Sequence, residues 1–328
     1  MRIFSGIQPT GQKHLGNYIG AIRQYVEGQD RGEAIYCIVD LHAITVPYEP
    51  PVLREQVYDT AAILLAAGLT PDRCTLFRQS DVPAHTELCW LLSAVTAHGD
   101  LNRMTQFKEK SARQQELASA GLFLYPLLQA ADVLAYKAHE VPVGDDQRQH
   151  IELMRDIAIR FNRRFGETFV VPEHRIPTVG GRVMDLQEPT TKMSTTSGSE
   201  QGTLYIGDPD KAMTKKVMRA VTDSGSGISR DAGKPGISNL IEVMAVLRET
   251  TPEAVESEFA DAQYGDFKKA VAATVTETLG PIRDRYLEYQ ADRGHLEEVL
   301  GEGARKARSI AAATVDEVRE KMGVGPPG

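Results

Sequence analysis

Residues 1–20, which read MRIFSGIQPTGQKHLGNYIG, decide how the rest of the chain is interpreted. The apolar run Arg2–Ile7 predicts a β-strand, and apolar residues then recur at helical spacing from Leu15 to Val26. The turn between strand and helix places free backbone N–H groups and the positive end of a helix dipole beside small residues. This stretch therefore predicts a strand, a turn and a helix that suit a phosphate group.

The side chains at this turn sharpen the prediction. His14 and Asn17 lie one helical turn apart, and both can donate hydrogen bonds toward a phosphate. Gly16 between them allows a nucleotide to approach the backbone. The alternative is that Gly11 and Gly16 serve a tight turn and that His14 is a solvated residue at a helix start.

Composition narrows the class of protein. The chain has 328 residues, enough for a large core and two domains, and its 41% hydrophobic and 25% charged residues are typical of a globular protein. The longest apolar stretches fall far short of the ~20 residues of a bilayer span, and no secretory leader follows Arg2. We expect no membrane partner and no export.

Three cysteines, Cys37, Cys74 and Cys89, are widely spaced within apolar runs. They predict buried thiols in a reducing compartment, the cytoplasm, rather than disulfides or a metal site. The net charge of −8 argues against an indiscriminate nucleic-acid binder.

Strand and helix patterns alternate through the first two thirds of the chain. They predict an α/β fold, a doubly wound parallel sheet with right-handed crossovers. From about Gly202 the pattern changes to helices, so residues 1–200 and 201–328 are predicted to form two domains. Trp90, the only tryptophan, is expected in the core.

Two polar residues stand out among apolar neighbours. His42 follows the buried strand predicted at 34–39, where open α/β sheets bind ligands, although it also suits a cap or a core histidine. Asp132 lies in the apolar stretch 121–136, where an unpaired carboxylate is costly. It either caps a helix, pairs with a distant arginine, or accepts a hydrogen bond from an otherwise apolar ligand.

Two later turns are further candidates. Gly144 precedes a helix and offers a second backbone approach to a nucleotide, while Asp145 and Asp146 suit ribose hydroxyls, a metal or a helix cap. Residues 189–199, rich in small hydroxyl residues, carry Lys192 on a loop that by itself predicts a flexible linker.

Together these segments resemble a known family. HLGN (14–17) and KMSTT (192–196) are similar to the two signature segments of class I aminoacyl-tRNA synthetases. More narrowly, six segments in the expected order resemble the bacterial tryptophanyl-tRNA synthetases: FSGIQPTG, CIVDLHAITV, RMTQFKEKSA, YPLLQAADVL, VPVGDDQRQHIEL and AVTDSGSGI.

The resemblance implies a Rossmann-like catalytic domain and a helical C-terminal domain that reads the tRNA anticodon. By itself, the helical part equally suits a packing and dimerisation module. The implied protein is a cytoplasmic homodimer that activates L-tryptophan with Mg-ATP and then esterifies the terminal adenosine of tRNA(Trp).

The resemblance also implies roles for individual residues. ATP would be contacted by Gln8, Pro9, Thr10, Gly16 and Asn17, with His14 in the same signature. The adenosine side would be held by Gly144, Asp145, Asp146 and Val183. Phosphates would be reached by Lys110 and by the loop residues Lys192, Met193, Ser194, Thr195 and Thr196. Asp132 would bind the indole N–H, surrounded by Phe4, Gly6, His42 and Gln147.

The chain departs from the family pattern at two places. Thr195 stands where the second signature usually has a second lysine, and Thr196 replaces a serine. We hypothesise that Lys192 carries the whole cationic role of this loop. In the first signature, Asn17 occupies a position where many class I enzymes have a second histidine.

Three alternatives stay open at this point. A tyrosyl-tRNA synthetase shares the fold and reaction, but QAAD at 129–132 suits an indole better than a phenol. An adenylyltransferase of cofactor biosynthesis needs neither the KMSTT loop nor a helical tail. A catalytically weak paralogue that senses tryptophan or binds RNA is suggested by Thr195.

Overall fold

A single parallel sheet organises the molecule. The computed structural model describes residues 1–104, 119–144, 147–175, 183–194 and 198–326. The strands are β1 (Arg2–Ile7), β2 (Glu33–Ile38), β3 (Cys74–Arg78), β4 (Glu140–Pro142) and β5 (Glu173–Arg175). Their order is β3-β2-β1-β4-β5, and every pairing is parallel. The predicted α/β parallel sheet is confirmed.

Helices connect the strands and form the second half of the chain. Those of the first half are α1 (Leu15–Asn17), α2 (Arg23–Gly28), α3 (Asp40–Ala43), α4 (Pro50–Ala67), α5 (Ala84–Ser93), α6 (His98–Asn102), α7 (Ala120–Leu134) and α8 (Arg148–Phe165). Those of the second half are α9 (Asp210–Met218), α10 (Pro235–Leu247), α11 (Pro252–Glu258), α12 (Tyr264–Ala291) and α13 (Arg293–Met322). A π-helical stretch, Tyr18–Ile22, joins α1 to α2.

The sheet is covered on both faces, which explains the unbroken apolar run of β2. Alternate side chains of this strand enter two different cores: Tyr36 and Ile38 pack into one, and Ile35 and Cys37 into the other. The chain places β2 and β3 on one side of β1, then returns to place β4 on the other side. In open α/β sheets this reversal of strand order opens a crevice at the carboxyl ends of the strands.

The C-terminal helices return to the sheet. Helix α12 packs against α4, and α13 packs against β3 at the edge of the sheet. Small residues of α13, including Ala304 and Ala307, enter the same core as Phe77 of β3. A helix that covers an edge strand also blocks unwanted pairing there.

Three local predictions can be compared with the fold. The expectation that Trp90 is a core residue is wrong: its side chain is 78% exposed, because α5 buries Leu88, Leu91 and Leu92 and turns position 90 outward. Cys37 and Cys74 are buried as expected, whereas Cys89 is only partly buried. Within the described residues, no helix combines the length and apolar character that crossing a membrane requires.

Two glycines of α13 provide a matched test of this packing. A Cβ added at Gly303 would lie 1.8 Å from the Leu76 backbone oxygen, whereas one added at Gly301 meets nothing within 4 Å. We expect Gly303→Ala to lower the free energy of unfolding by about 1–3 kcal/mol or more through overpacking. Gly301→Ala should raise it by up to about 1 kcal/mol through helix propensity. Urea denaturation of both variants measures this, and equal effects would contradict the packing described.

Candidate active site

A cavity of about 500 Å³ opens where the sheet reverses its strand order. Its floor comes from the carboxyl ends of the strands: Gly6 and Ile7 of β1, Val39 after β2, and Pro142 of β4. Eight of the predicted site residues line it together: Phe4, Gly6, Gln8, Asn17, His42, Asp132, Gly144 and Gln147. Asp132 therefore lines the same cavity as Gly6 and Gly144.

Asp132 is a buried carboxylate in the lining of this cavity. Its side chain is 2% exposed, and it is held by three polar partners. Oδ2 lies 2.8 Å from His42 Nε2, while Oδ1 lies 2.6 Å from His85 Nδ1 and 2.7 Å from Gln79 Nε2. Histidines and an amide therefore take the place of the distant arginine considered from the sequence.

These partners keep Asp132 ionised. Burial by itself raises the pKa of the carboxyl, but the hydrogen bonds from His42 and His85 outweigh burial and hold the pKa well below its usual range. An ionised carboxylate only accepts hydrogen bonds. The Asp132 carboxylate is thus a fixed hydrogen-bond acceptor in the cavity.

Gln79 and His85 are hydrogen-bond partners of Asp132 that the sequence analysis missed. Gln79 follows β3 as His42 follows β2, so the rule that identified His42 applies to it as well. His85 lies on α5, and its spacing from Asp132 along the chain carries no signal. Both side chains are fully buried.

The HLGN turn is closed by its own side chains. His14 Nδ1 accepts the Gly16 N–H at 3.1 Å, and Asn17 Oδ1 accepts the His14 N–H at 3.0 Å. The expectation that this turn offers free backbone N–H groups is therefore wrong for these two residues, because a reciprocal capping box uses them. With Nδ1 as acceptor, the neutral ring carries its proton on Nε2, so the side chain remains a donor.

Gly16 has a packing reason in addition to the predicted one. A Cβ at this position would lie 2.9 Å from His14 Cε1 and 3.0 Å from Nδ1, so a larger residue would displace the capping imidazole. Glycine here allows the ring to lie against the first turn of the helix.

His14 is neutral at physiological pH. Burial, and after it the positive charges of Lys13 and Lys192, lower the pKa of His14 from 6.5 to about 4. The predicted donation toward a phosphate therefore comes from a neutral imidazole.

Lys13 is a third residue that the sequence analysis missed. Its ammonium group is buried and lies 3.0, 3.2 and 3.3 Å from the carbonyl oxygens of Gln8, Thr10 and Gly11. Burial lowers the pKa of Lys13 to about 8, opposed in part by the charge of Asp59. Lys13 fixes the loop after β1, where Gly11 adopts a positive φ of 64° that favours glycine.

Residues far apart in sequence complete the site. The Leu15 N–H donates to the Leu204 carbonyl at 2.8 Å, and the Ile206 N–H donates to the Lys13 carbonyl at 3.0 Å. These bonds tie the segment after the KMSTT loop to the HLGN turn.

The start of that loop also lies close to the turn. The Met193 N–H donates to the Val183 carbonyl at 2.9 Å. The backbones of Lys192 and Met184 pair in an isolated antiparallel β-bridge. The side chain of Val183 lies beside Gly16, since a Cβ there would be 3.7 Å from Val183 Cβ.

The other predicted residues are placed as follows. Val183 and Met193 are buried, Lys192 is exposed and Ser194 is half-buried. Pro9 is buried in the loop after β1, and Thr10 lines a neighbouring cavity beside α4. The remaining five lie outside the described residues: Lys110, Asp145, Asp146, Thr195 and Thr196.

The arrangement can hold a ligand with two different ends. Asp132 offers a charged acceptor, and Asn17 lines the same cavity at the start of the first helix. His14 is the N-cap of that helix and does not line the cavity itself. Such a site aligns a largely apolar molecule carrying one N–H donor with a phosphate-bearing partner.

Comparison with known proteins places the chain in a family. A family model described as "tRNA synthetases class I (W and Y)" matches residues 1–280. The chain belongs to this family. The tryptophan–tRNA ligase of Gloeobacter violaceus is 48% identical over 326 residues, covering 99% of this chain and 97% of that relative.

Solved structures of the family agree with the fold. The crystal structure of tryptophanyl-tRNA synthetase from Mycoplasma pneumoniae matches with a TM-score of 0.89 at 33% identity, covering 99% of this chain and 98% of that one. The Campylobacter jejuni enzyme, complexed with ADP and tryptophan, matches with a TM-score of 0.84 at 34% identity, covering 99% and 100%. The resemblance seen in the sequence to bacterial tryptophanyl-tRNA synthetases is confirmed.

The neutral state of His14 makes stability depend on pH. Between pH 6.5 and about 4 the unfolded chain binds a proton at this residue that the folded protein does not. Relative to His14→Gln, the wild type should therefore lose stability as the pH falls through this window, with a slope approaching about 1.4 kcal/mol per pH unit. Urea denaturation from pH 8 to 5 measures the difference in free energy of unfolding between the wild type and His14→Gln. At pH 8 the imidazole is neutral in both the folded and the unfolded chain, so the difference there reports only the packing effect of the substitution. A difference that does not change with pH would contradict a neutral His14.

Proposed function

We propose that the protein is a tryptophan–tRNA ligase that forms tryptophanyl-AMP and pyrophosphate from L-tryptophan and ATP, and then charges tRNA(Trp). The observation that carries this proposal is the ionised Asp132, which lies in a cavity shared with the first signature turn. Tryptophan is apolar except for its ring N–H and its backbone ends, so one buried acceptor suits it. The identity of about 48% with named tryptophan–tRNA ligases supports the same conclusion.

Activation of the amino acid needs no nucleophile from the protein. The carboxylate oxygen of tryptophan attacks the α-phosphorus of ATP, a new P–O bond forms, and the bond to pyrophosphate breaks. A ribose hydroxyl of the terminal tRNA adenosine then attacks the activated carbonyl, and AMP leaves. The protein contributes alignment and stabilisation of charge on the phosphates.

The site divides these tasks between its two ends. Asp132 accepts the indole N–H, while Phe4, Gly6, His42 and Gln147 surround the amino acid. At the other end, ATP lies against Gln8, Pro9, Thr10, Gly16 and Asn17, with His14 donating from Nε2. The adenosine is held by Gly144, Asp145 and Asp146. Val183 lines the pocket for the adenine ring.

The phosphates attract the cations of the site. Lys192 and Lys110 reach them, assisted by Met193, Ser194, Thr195 and Thr196 of the loop. Magnesium accompanies the triphosphate as its counterion, because this ion is usually held by substrate phosphates together with one or two carboxylates. ADP in the Campylobacter jejuni structure supports nucleotide binding at this fold.

The wider assembly is also part of the proposal. Residues 1–200 form the catalytic domain, and residues 201–328 form the helical domain that reads the anticodon. The protein acts as a homodimer in the cytoplasm, where its tRNA substrate is found. Two large apolar side chains are exposed on a pair of helices that pack together: Trp90 on α5 and Leu124 on α7. Exposed apolar side chains of this kind support a subunit interface on these helices.

ATP–pyrophosphate exchange with tryptophan tests the activity directly. We expect exchange with tryptophan and none above background with tyrosine, and the reverse would favour the tyrosyl alternative. Asp132→Asn should lower kcat/KM for tryptophan by roughly 10- to 150-fold, since a hydrogen bond to a charged group is worth about 1.5–3 kcal/mol. Tryptophan binding without any exchange would instead favour the sensing paralogue.

Lys192 tests the assignment of the loop. Because Thr195 removes the usual second cation, we expect Lys192→Ala to lower the exchange rate by at least about tenfold, the value of one charged hydrogen bond. Lys211→Ala, at an exposed lysine of α9, serves as the control and should leave the rate unchanged. A near-normal rate for Lys192→Ala would refute its proposed role.

A further inference from the structure

His85 lies behind the substrate acceptor. Its side chain is 0% exposed and is absent from the cavity lining, yet its ring bridges two polar groups. Nδ1 lies 2.6 Å from Asp132 Oδ1, and Nε2 lies 2.6 Å from the Tyr136 hydroxyl. His85 therefore acts on a ligand indirectly, through the groups that it holds.

The acceptor sites of Asp132 are nearly filled. A carboxylate offers about four lone pairs on its two oxygens. His85 and Gln79 both donate to Oδ1, and His42 donates to Oδ2. One lone pair on Oδ2 is left for a ligand, so the donors on Oδ1 determine which oxygen serves the cavity.

The two donors to Asp132 Oδ1, Gln79 and His85, are each oriented by a second hydrogen bond. Gln79 Oε1 accepts the Leu41 N–H at 3.1 Å, which commits its amide nitrogen to Asp132. Because the ionised carboxylate only accepts, His85 must carry a proton on Nδ1. In the tautomer with its proton on Nδ1, Nε2 accepts the Tyr136 O–H. Burial raises the pKa of Tyr136 well above its ordinary value, so this hydroxyl keeps its proton.

Tyr136 is locked by the wall of the cavity. Its ring stacks on Phe4, with centroids 5.3 Å apart and an interplanar angle of 14°, and it meets the His85 ring edge-on at 5.5 Å. Phe4 itself lines the cavity. The surface that packs against the ligand and the relay that orients its acceptor are thus one rigid unit.

We propose that His85, held by Tyr136, is a positioning residue that sets the selectivity of the site for a ligand with a ring N–H donor. This inference rests on the proposed function. In the tautomer with its proton on Nδ1, both hydrogen bonds of the relay donate toward Asp132: the Tyr136 O–H to His85, and the His85 N–H to the carboxylate. The carboxylate is thereby held charged, with one acceptor site facing the ligand, and a ring without a donor leaves that site desolvated and empty.

A pair of isosteric substrates tests the relay. Exchange is measured with tryptophan and with 3-benzothienylalanine, in which sulfur replaces the ring N–H. The readout is the ratio of kcat/KM for the two substrates. His85→Leu should lower this ratio at least about fivefold, because the carboxylate loses one of its fixing donors.

The relay also predicts which kinetic constant changes in the His85 variants. The ring N–H is bound equally before and during the reaction, so the change should appear in KM for tryptophan, with KM for ATP unchanged. His85→Asn, whose amide can still donate to Asp132, should restore most of the ratio. Tyr136→Phe, which leaves Nε2 without its donor, should lower it by a smaller factor than His85→Leu.

Tyr36→Phe is the matched control. This substitution also removes one buried tyrosine hydroxyl. The Tyr36 hydroxyl donates to the Tyr25 carbonyl at 2.7 Å and has no hydrogen bond to Asp132 or His85. A Tyr36→Phe ratio equal to that of the wild type, together with a lowered ratio in Tyr136→Phe, supports the relay. Equal losses in both would overturn it as a general packing effect, and so would a wild-type ratio in His85→Leu. If His85→Leu does not fold, Tyr136→Phe compared with Tyr36→Phe decides: a lowered ratio in Tyr136→Phe alone supports the relay, and equal ratios in the two variants overturn it.

Failure of this inference is separable from failure of the proposed function. A wild type that shows no tryptophan-dependent exchange refutes the function. A wild type that exchanges, with variants that keep its substrate ratio, refutes only the role of His85.

Discussion

The parallel pairing of β1 on both of its edges is the constraint on which the rest of the molecule depends. Six consecutive residues of β1 pair with β2, and Ile3 pairs with β4 on the other side. Because all these strands run the same way, their carboxyl ends meet at one edge, where the strand order also reverses. The cavity, the HLGN turn and the acceptor Asp132 are arranged around this edge.

The electrostatics of the site follow from burial. Asp132 stays charged because donors surround it, whereas His14 stays neutral because burial and two neighbouring cations disfavour its protonation. Lys13 is held against three carbonyl oxygens. In the proposed complex, the negative carboxylate of Asp132 faces the ring of the amino acid and the donors of the HLGN turn face the phosphates, so the two ends of the ligand have different partners.

The helical C-terminal part is packed onto the sheet rather than appended to it. Gly303 brings α13 against β3, and the segment ending at Ile206 pairs with the residues that precede the first helix. Helix α12 adds a hydrogen bond between Tyr286 and Asp59 of α4, and Asp59 lies near the charge of Lys13. The residues after the KMSTT loop therefore contribute directly to the geometry of the HLGN turn.

The sequence by itself predicted the alternation of strands and helices and many of the residues that meet at the sheet edge, because periodicity and strand ends are local properties. It predicted no strand at β5 (Glu173–Arg175). It also identified Asp132, since a lone carboxylate in an apolar run demands a partner. Which partner was decided only by the tertiary structure: His85 lies 47 residues from Asp132 along the chain, and no local pattern joins them. The outward position of Trp90 and the capping use of His14 and Gly16 depend in the same way on what packs against each side chain, which a linear sequence does not express.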